Sequence, residues 1–276
     1  MKYQKKDCFD RIAEKMREHR LIVAAGVDSL EQEKCCDKAG CDLILLYPTA
    51  KYEHASNRFL AGFLAFGNVN EMMEQMATDL MPMMNNRNLM AGLNGSDPFK
   101  NDRILLQKMK EFGFMGIHNY PTMSLVDGTF GMNIEYLKSG LDKEIQLLKK
   151  ASEMGFHTCG MVSTQKQALQ LVRADIDMII FYLGLGENPE HRGVSNKERT
   201  EQDIRKLKEL TAGIRNISKT IPILFFDEQL NTVNEIKTII QEVKEINGYF
   251  LMPVTQKPFS HRQLQLEIEQ LLEICY

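Results

Sequence analysis

The sequence contains no tryptophan and no excess of either charge, with 34 Lys+Arg against 37 Asp+Glu in 276 residues and a net charge of −3. A nucleic-acid-binding domain usually carries a basic stripe and a high isoelectric point, so nucleic acid is not an expected partner. Uninterrupted apolar runs are short. The stretch Met178 to Leu183 is among the longest, far below the roughly 18 residues that a membrane helix needs. No membrane association is expected. The first fifteen residues, MKYQKKDCFDRIAEK, are charged where a signal peptide has its apolar core, which predicts a cytoplasmic protein.

Paired cysteine motifs are also missing. Cys8, Cys35, Cys36, Cys41, Cys159 and Cys275 form no CxxC or CxxH pattern, so they read as reduced packing residues. The six histidines form no HExxH pair, and no GxSxG elbow accompanies the serines. His118 and His157 read as structural histidines on or beside neighbouring strands.

What is present is a strong alternation. Short β-type apolar runs at Leu21–Ala25, Asp42–Tyr47, Asn88–Gly92, Phe114–His118, Phe156–Met161, Met178–Leu183, Ile221–Phe226 and Gly248–Met252 are separated by stretches of helical period. The helical stretches lie at about Leu30–Ala39, Asn70–Met84, Lys100–Phe112, Leu141–Met154, Thr164–Arg173, Glu201–Ser218, Thr232–Ile246 and Ser260–Ile274. Met73, Ala77, Leu80 and Met84, four of the residues in a chain with 17 methionines, mark one packed face.

Eight such units in under 300 residues predict an α/β protein with a (β/α)8 TIM barrel, with a doubly wound open sheet as the alternative. A further helix, Cys8–His19, precedes the first strand and is placed to plug the bottom of the barrel. No linker or composition shift divides the chain, so residues 1–276 are assigned to one domain.

The longest connections follow strands 2, 4 and 6, at Pro48–Val69, Asn119–Gly140 and Gly184–Thr200. All lie where such barrels build their sites. In the second of them Asn119, Thr122, Asp127 and Thr129 offer amide, hydroxyl and carboxylate groups to a small polar ligand. Asp127 and Asn119 are the candidate catalytic residues, with Asp127 as acid, base or metal ligand. The other reading of Asp127-Gly128 is a turn in which the Asp bonds its own backbone.

After strand 3, Asn94 is a candidate ligand contact. Asp97 and Pro98 read as N-cap and first residue of the next helix, whose exposed amides also favour an anion. Tyr47 ends strand 2 and is expected to turn its hydroxyl to the mouth, while Lys51 and Arg58 are loop cations that either bind an anion or stay solvated. Gly184, which opens the strand 6 loop, is a further candidate substrate contact. Asp28 and Asp97 are weak candidates for binding Mg²⁺, which takes few carboxylates.

The segment Ile117-His118-Asn119-Tyr120-Pro121-Thr122-Met123-Ser124-Leu125-Val126-Asp127-Gly128-Thr129-Phe130 carries a family resemblance. So do Leu60-Ala61-Gly62 with Gly67-Asn68, and Ala91-Gly92 followed by Ser96-Asp97-Pro98-Phe99. Together they resemble the phosphoenolpyruvate hydrolase-like family, also called TIM-barrel signal transduction proteins. The resemblance implies a (β/α)8 barrel related to phosphoenolpyruvate mutase.

It also implies a lyase or hydrolase acting on a small oxo-acid or a phosphoenolpyruvate- or phosphonopyruvate-like compound, with Mg²⁺ as Lewis acid. The partner is then a small anionic metabolite. A homo-oligomer is expected on general grounds. After strands 1, 7 and 8 the chain departs from the family pattern, with Gly26-Val27-Asp28, Asp227-Glu228-Gln229 and Leu251-Met252-Pro253-Val254 where the family is rich in small residues. Those departures motivate the alternative, a catalytically diverged barrel that binds a metabolite or signals.

Overall fold

The structure, a computed structural model, describes residues 6–48, 67–84, 88–184, 194–227, 230, 232–252 and 260–276. Lys51, Arg58, Glu228 and most of the strand 6 loop lie outside them.

The eight apolar runs form eight parallel strands: β1 Ile22–Val27, β2 Leu43–Leu46, β3 Leu89–Gly92, β4 Gly116–His118, β5 His157–Val162, β6 Met178–Tyr182, β7 Ile223–Phe226 and β8 Gly248–Leu251. They close into a barrel in sequence order, with β8 returning to β1 through the register Ile22 to Gly248. The (β/α)8 barrel expected from the alternation is the fold observed.

The helices are α1 Lys6–Arg17, α2 Leu30–Ala39, α3 Val69–Leu80, α4 Asp102–Phe112, α5 Gly128–Tyr136, α6 Leu141–Glu153, α7 Gln165–Arg173, α8 Asn196–Thr211, α9 Ile214–Ile217, α10 Val233–Glu242 and α11 His261–Leu272. Their starts are written locally. Thr164, Ser195, Thr232 and Ser260 each form a capping box with the Gln or Glu three residues on, satisfying two helix-terminal amides at once.

Three differences from the sequence reading have clear causes. The helix after β3 begins later than expected: Asn101, not Asp97, is its N-cap, accepting from the amides of Arg103 and Ile104. Asp97 instead accepts from the Phe99 amide within the loop. The helix expected over Glu201–Ser218 breaks at Gly213, whose φ of 82° no right-handed helix tolerates. Finally, α5 lies in what reads as loop, because almost all of its residues are exposed and the strong apolar face that marks a helix is missing.

Buried side chains form two clusters. One packs the outer strand faces against the helices, with Ile117, Phe225 and Leu147 among its members. The other fills the barrel interior with alternate strand residues, Leu43 and Leu45, Met178 and Ile180, Leu224 and Phe226. Cys8 and Ile12 of α1 belong to the interior cluster, so α1 closes the bottom of the barrel as expected. Phe9 stacks on the inward-facing His157 there, with ring centroids 3.6 Å apart. Lys15 ties the helix down through Asp42 at 2.6 Å and the Leu21 carbonyl at 3.3 Å.

Candidate active site

At the other end of the barrel, inward-facing residues become aromatic and polar together. Tyr47 follows β2, His118 ends β4, Tyr120 lies two residues beyond, and Tyr182 ends β6; all four are buried. Tyr47 meets Tyr120 edge-on at 6.0 Å, Tyr182 packs on Phe226 at 4.7 Å, and Phe226 meets Phe250 at 5.8 Å. These rings floor the mouth. Two inward glycines make room for them: a Cβ on Gly26 would stand 2.8 Å from the Tyr47 ring, and one on Gly92 would stand 2.8 Å from His118 Cε1.

The space over Gly92 lets the His118 ring lie across β3 and bring Nε2 to 3.3 Å from the Leu46 carbonyl of β2. A carbonyl only accepts, so Nε2 carries the proton. Burial pushes the imidazole down to about 4, partly offset by that hydrogen bond, so the ring is neutral at physiological pH.

Asn119 and Thr122 sit behind this rim, between the strand ends and α6. The Asn119 side-chain oxygen accepts from the Met161 amide at 2.6 Å, and its amide donates to the Met161 carbonyl, to Thr122 Oγ1 and to Glu144 at 2.7 Å. Thr122 donates to the same Glu144 oxygen at 2.6 Å, and the Met123 amide donates to the other at 2.6 Å. Burial lifts the Glu144 carboxyl to about 7 although these three donors favour its charged form. Glu144 is fully buried and went unnoticed in the sequence. Its signal is positional: Glu144, Leu147, Leu148 and Ala151 form one helical face, so the acid falls on the side of α6 that packs inward.

The remaining candidates are dispersed. Asp127 is exposed at the N-cap of α5 and makes no side-chain bond to that helix, so the self-bonded turn is not what forms. Thr129, also exposed, lies in its first turn. Asn94 is half-buried, with its side-chain oxygen accepting from the Ser96 amide and its backbone paired to the Asn70 side chain. Gly184 is half-buried with open space where a Cβ would stand.

Of the two metal candidates, Asp97 is already engaged. Asp97 Oδ2 accepts from the side-chain amides of Asn68 at 3.2 Å and Asn70 at 2.9 Å, while Asp28, after β1, has its backbone amide on Gln32. Among the described residues no three His, Cys, Asp or Glu side chains converge as a metal site.

A second buried polar group lies behind β7. Asp227, the residue after that strand, hydrogen-bonds Asp203 of α8, while Arg199 of α8 pairs with Glu235 of α10 at 3.1 Å. Burial and the neighbouring Asp227 push Asp203 up to about 8, against Arg199 and Lys206, which pull it down. Asp227, one of the departures from the family pattern, is buried and faces the helices. Arg199, Asp203, Leu207 and Leu210 share one buried helical face, the same kind of signal as at Glu144.

Comparison with known proteins extends this picture. Two curated relatives from Solanum lycopersicum, the ToMV susceptible protein tm-1(GCR26) and the ToMV resistance protein Tm-1(GCR237), are each 23% identical over 240 residues, or 87% of this chain. The chain spans about a third of their length, 32% in each case. Among solved structures, oxaloacetate acetylhydrolase with bound oxalate aligns with a TM-score of 0.55 at 12% identity, over 91% of this chain and 81% of that one. The 2,3-dimethylmalate lyase, a PEP mutase/isocitrate lyase superfamily member, aligns at 0.53 and 13%, over 90% and 81%. At such identities these two likenesses speak for the barrel alone. The family model described as phosphoenolpyruvate hydrolase-like matches residues 7–256, and the chain therefore belongs to the phosphoenolpyruvate hydrolase-like family.

Proposed function

We propose that the chain is a lyase or hydrolase that cleaves a small oxo-acid at the C-terminal mouth of the barrel. The observation that carries this reading is the cluster of Tyr47, His118, Tyr120 and Tyr182 with Phe226 and Phe250 at that mouth. It sets three hydroxyls and an imidazole among apolar rings, the mixture that small-ligand sites use. Membership of the phosphoenolpyruvate hydrolase-like family supports the same substrate class.

In this reading Asp127 is the general acid or base, supported by an exposed carboxylate that the helix start does not consume. Asn119 and Thr122 act by positioning: through Glu144 they hold the segment that carries Tyr120. Tyr47 contacts the ligand from the rim. Asn94, Thr129 and Gly184 stay as candidate contacts at its edge.

The test is a thermal-shift and turnover panel with phosphoenolpyruvate, phosphonopyruvate, oxaloacetate, pyruvate and phosphate, each with and without Mg²⁺. A true ligand at a hundred times Kd stabilises by about 2.7 kcal/mol, and product forms with time. Saturable binding without product would instead make the chain a metabolite-binding barrel.

A further inference from the structure

His118 holds a feature that the packing does not use. Its Nε2–H is committed to the Leu46 carbonyl, which leaves Nδ1 as a bare lone pair. That atom is buried, in a side chain only 1% exposed, and has no hydrogen-bond partner among the described residues. Buried acceptors are rarely left so, and each exception asks for a bound water, a ligand or a functional role.

The location favours a ligand. His118 ends β4 with its side chain on the inner face of the barrel, since Ile117 points outward and alternation turns the next residue in. The ring lies beside Tyr120, with centroids 6.4 Å apart and planes inclined by 27°, at the end of the barrel where active sites form. A Cβ on Gly92 would meet the ring and the Tyr120 carbonyl, so the backbone itself leaves room for the imidazole here.

We propose that Nδ1 of His118 is a specificity-determining position that accepts a hydrogen bond from the hydroxyl of a small acid, either a 2-hydroxy acid or the enol form of an oxo-acid. This rests on the mouth being an oxo-acid site. Because the ring is fixed as the Nε2–H tautomer, it rewards a ligand that donates at this point and leaves an uncompensated lone pair beneath one that does not.

The experiment compares malate with succinate, which differ by one hydroxyl, and includes oxaloacetate as a control for the site. Binding to the whole chain is measured by titration calorimetry for the wild type, His118→Leu and His118→Gln. Malate should bind at least tenfold more tightly than succinate. The Leu variant should bring the two within about threefold, and the Gln variant, whose amide both donates and accepts, should restore part of the gap.

A wild-type preference that survives in the Leu variant overturns the role of His118 and leaves the site reading intact. Failure of all three acids to bind overturns the role of His118, while the wider oxo-acid and phosphate panel decides the site reading separately. Independently of any ligand or variant, nitrogen NMR of the histidine-labelled protein should find Nδ1 bare and Nε2 protonated. A proton on Nδ1 overturns the proposal.

Discussion

The side-chain amide of Asn119 and the carboxylate of Glu144 meet at 2.7 Å in the fully buried layer between β4 and α6. The contact joins the segment after β4, which carries Tyr120, to a helix that begins more than twenty residues later. The neighbouring bonds from Thr122 and Met123 make Glu144 the common acceptor of three donors.

Removing that acceptor strands the Thr122 hydroxyl and the Met123 amide, while the Asn119 amide keeps the Met161 carbonyl and Thr122 Oγ1. Glu144→Ala should cost about 3 kcal/mol or more, because each buried donor left unpaired costs roughly 1–3 kcal/mol. Urea unfolding at pH 5 measures it, and a loss below 1 kcal/mol would show that the network relaxes onto other partners.

Glu144 also predicts a pH dependence. Its carboxyl is raised from 4.5 to about 7 on folding, so the folded state holds the proton more tightly than the unfolded state does. The resulting stability is complete below pH 4.5 and is lost as pH rises through about 7, an effect of roughly 3 kcal/mol. Glu144→Gln should flatten this part of the stability curve; an unchanged slope would mean that the three donors hold the group ionised throughout.

The Asp203–Asp227 contact has the same sign at higher pH. Asp203 is raised to about 8, so the wild type should go on losing stability as pH rises from neutrality through 8. In Asp203→Asn that step should vanish, and unfolding followed between pH 7 and 9 will show it. A step that persists belongs to another group.

Gly92→Ala tests the crowding at the rim. The new methyl would stand 2.7 Å from the Tyr120 carbonyl and 2.8 Å from His118 Cε1, so at least one must move. A loss of about 1–3 kcal/mol is expected. The histidine NMR signals should shift with it; unchanged signals would place the relaxation in Tyr120 alone.

Asp127→Asn separates chemistry from stability. The side chain is exposed and makes no helix-capping bond, so stability should change by less than about 0.5 kcal/mol. On the oxo-acid that the panel identifies, turnover should fall by at least a hundredfold. Unchanged kinetics would remove Asp127 from the reaction.

The barrel was legible because its signals are local and repeated. Runs such as Met178–Tyr182 can only be buried strands between amphipathic helices, and α2 was bounded at the same residues, Leu30 and Ala39, that the structure shows. The family resemblance carried the rest of the fold. The site was harder to read. Chain order placed Asn119 and Thr122 after a strand but not the face they take, and both lie behind the rim rather than over it. Their partner Glu144 looked like an ordinary acid in a helix. His118 read as a structural histidine, and the bond of its Nε2 to the Leu46 carbonyl, 72 residues earlier, is one that chain order does not show.

The bond from the Met123 amide to Glu144 spans 21 residues and draws the two ends of that stretch together. Everything between them forms a closed circuit of chain, including α5 with Phe130, Met132 and Tyr136 turned outward. Changes in the length of its exposed stretch, α5, therefore carry only a small entropic cost while the fastening holds the barrel unchanged.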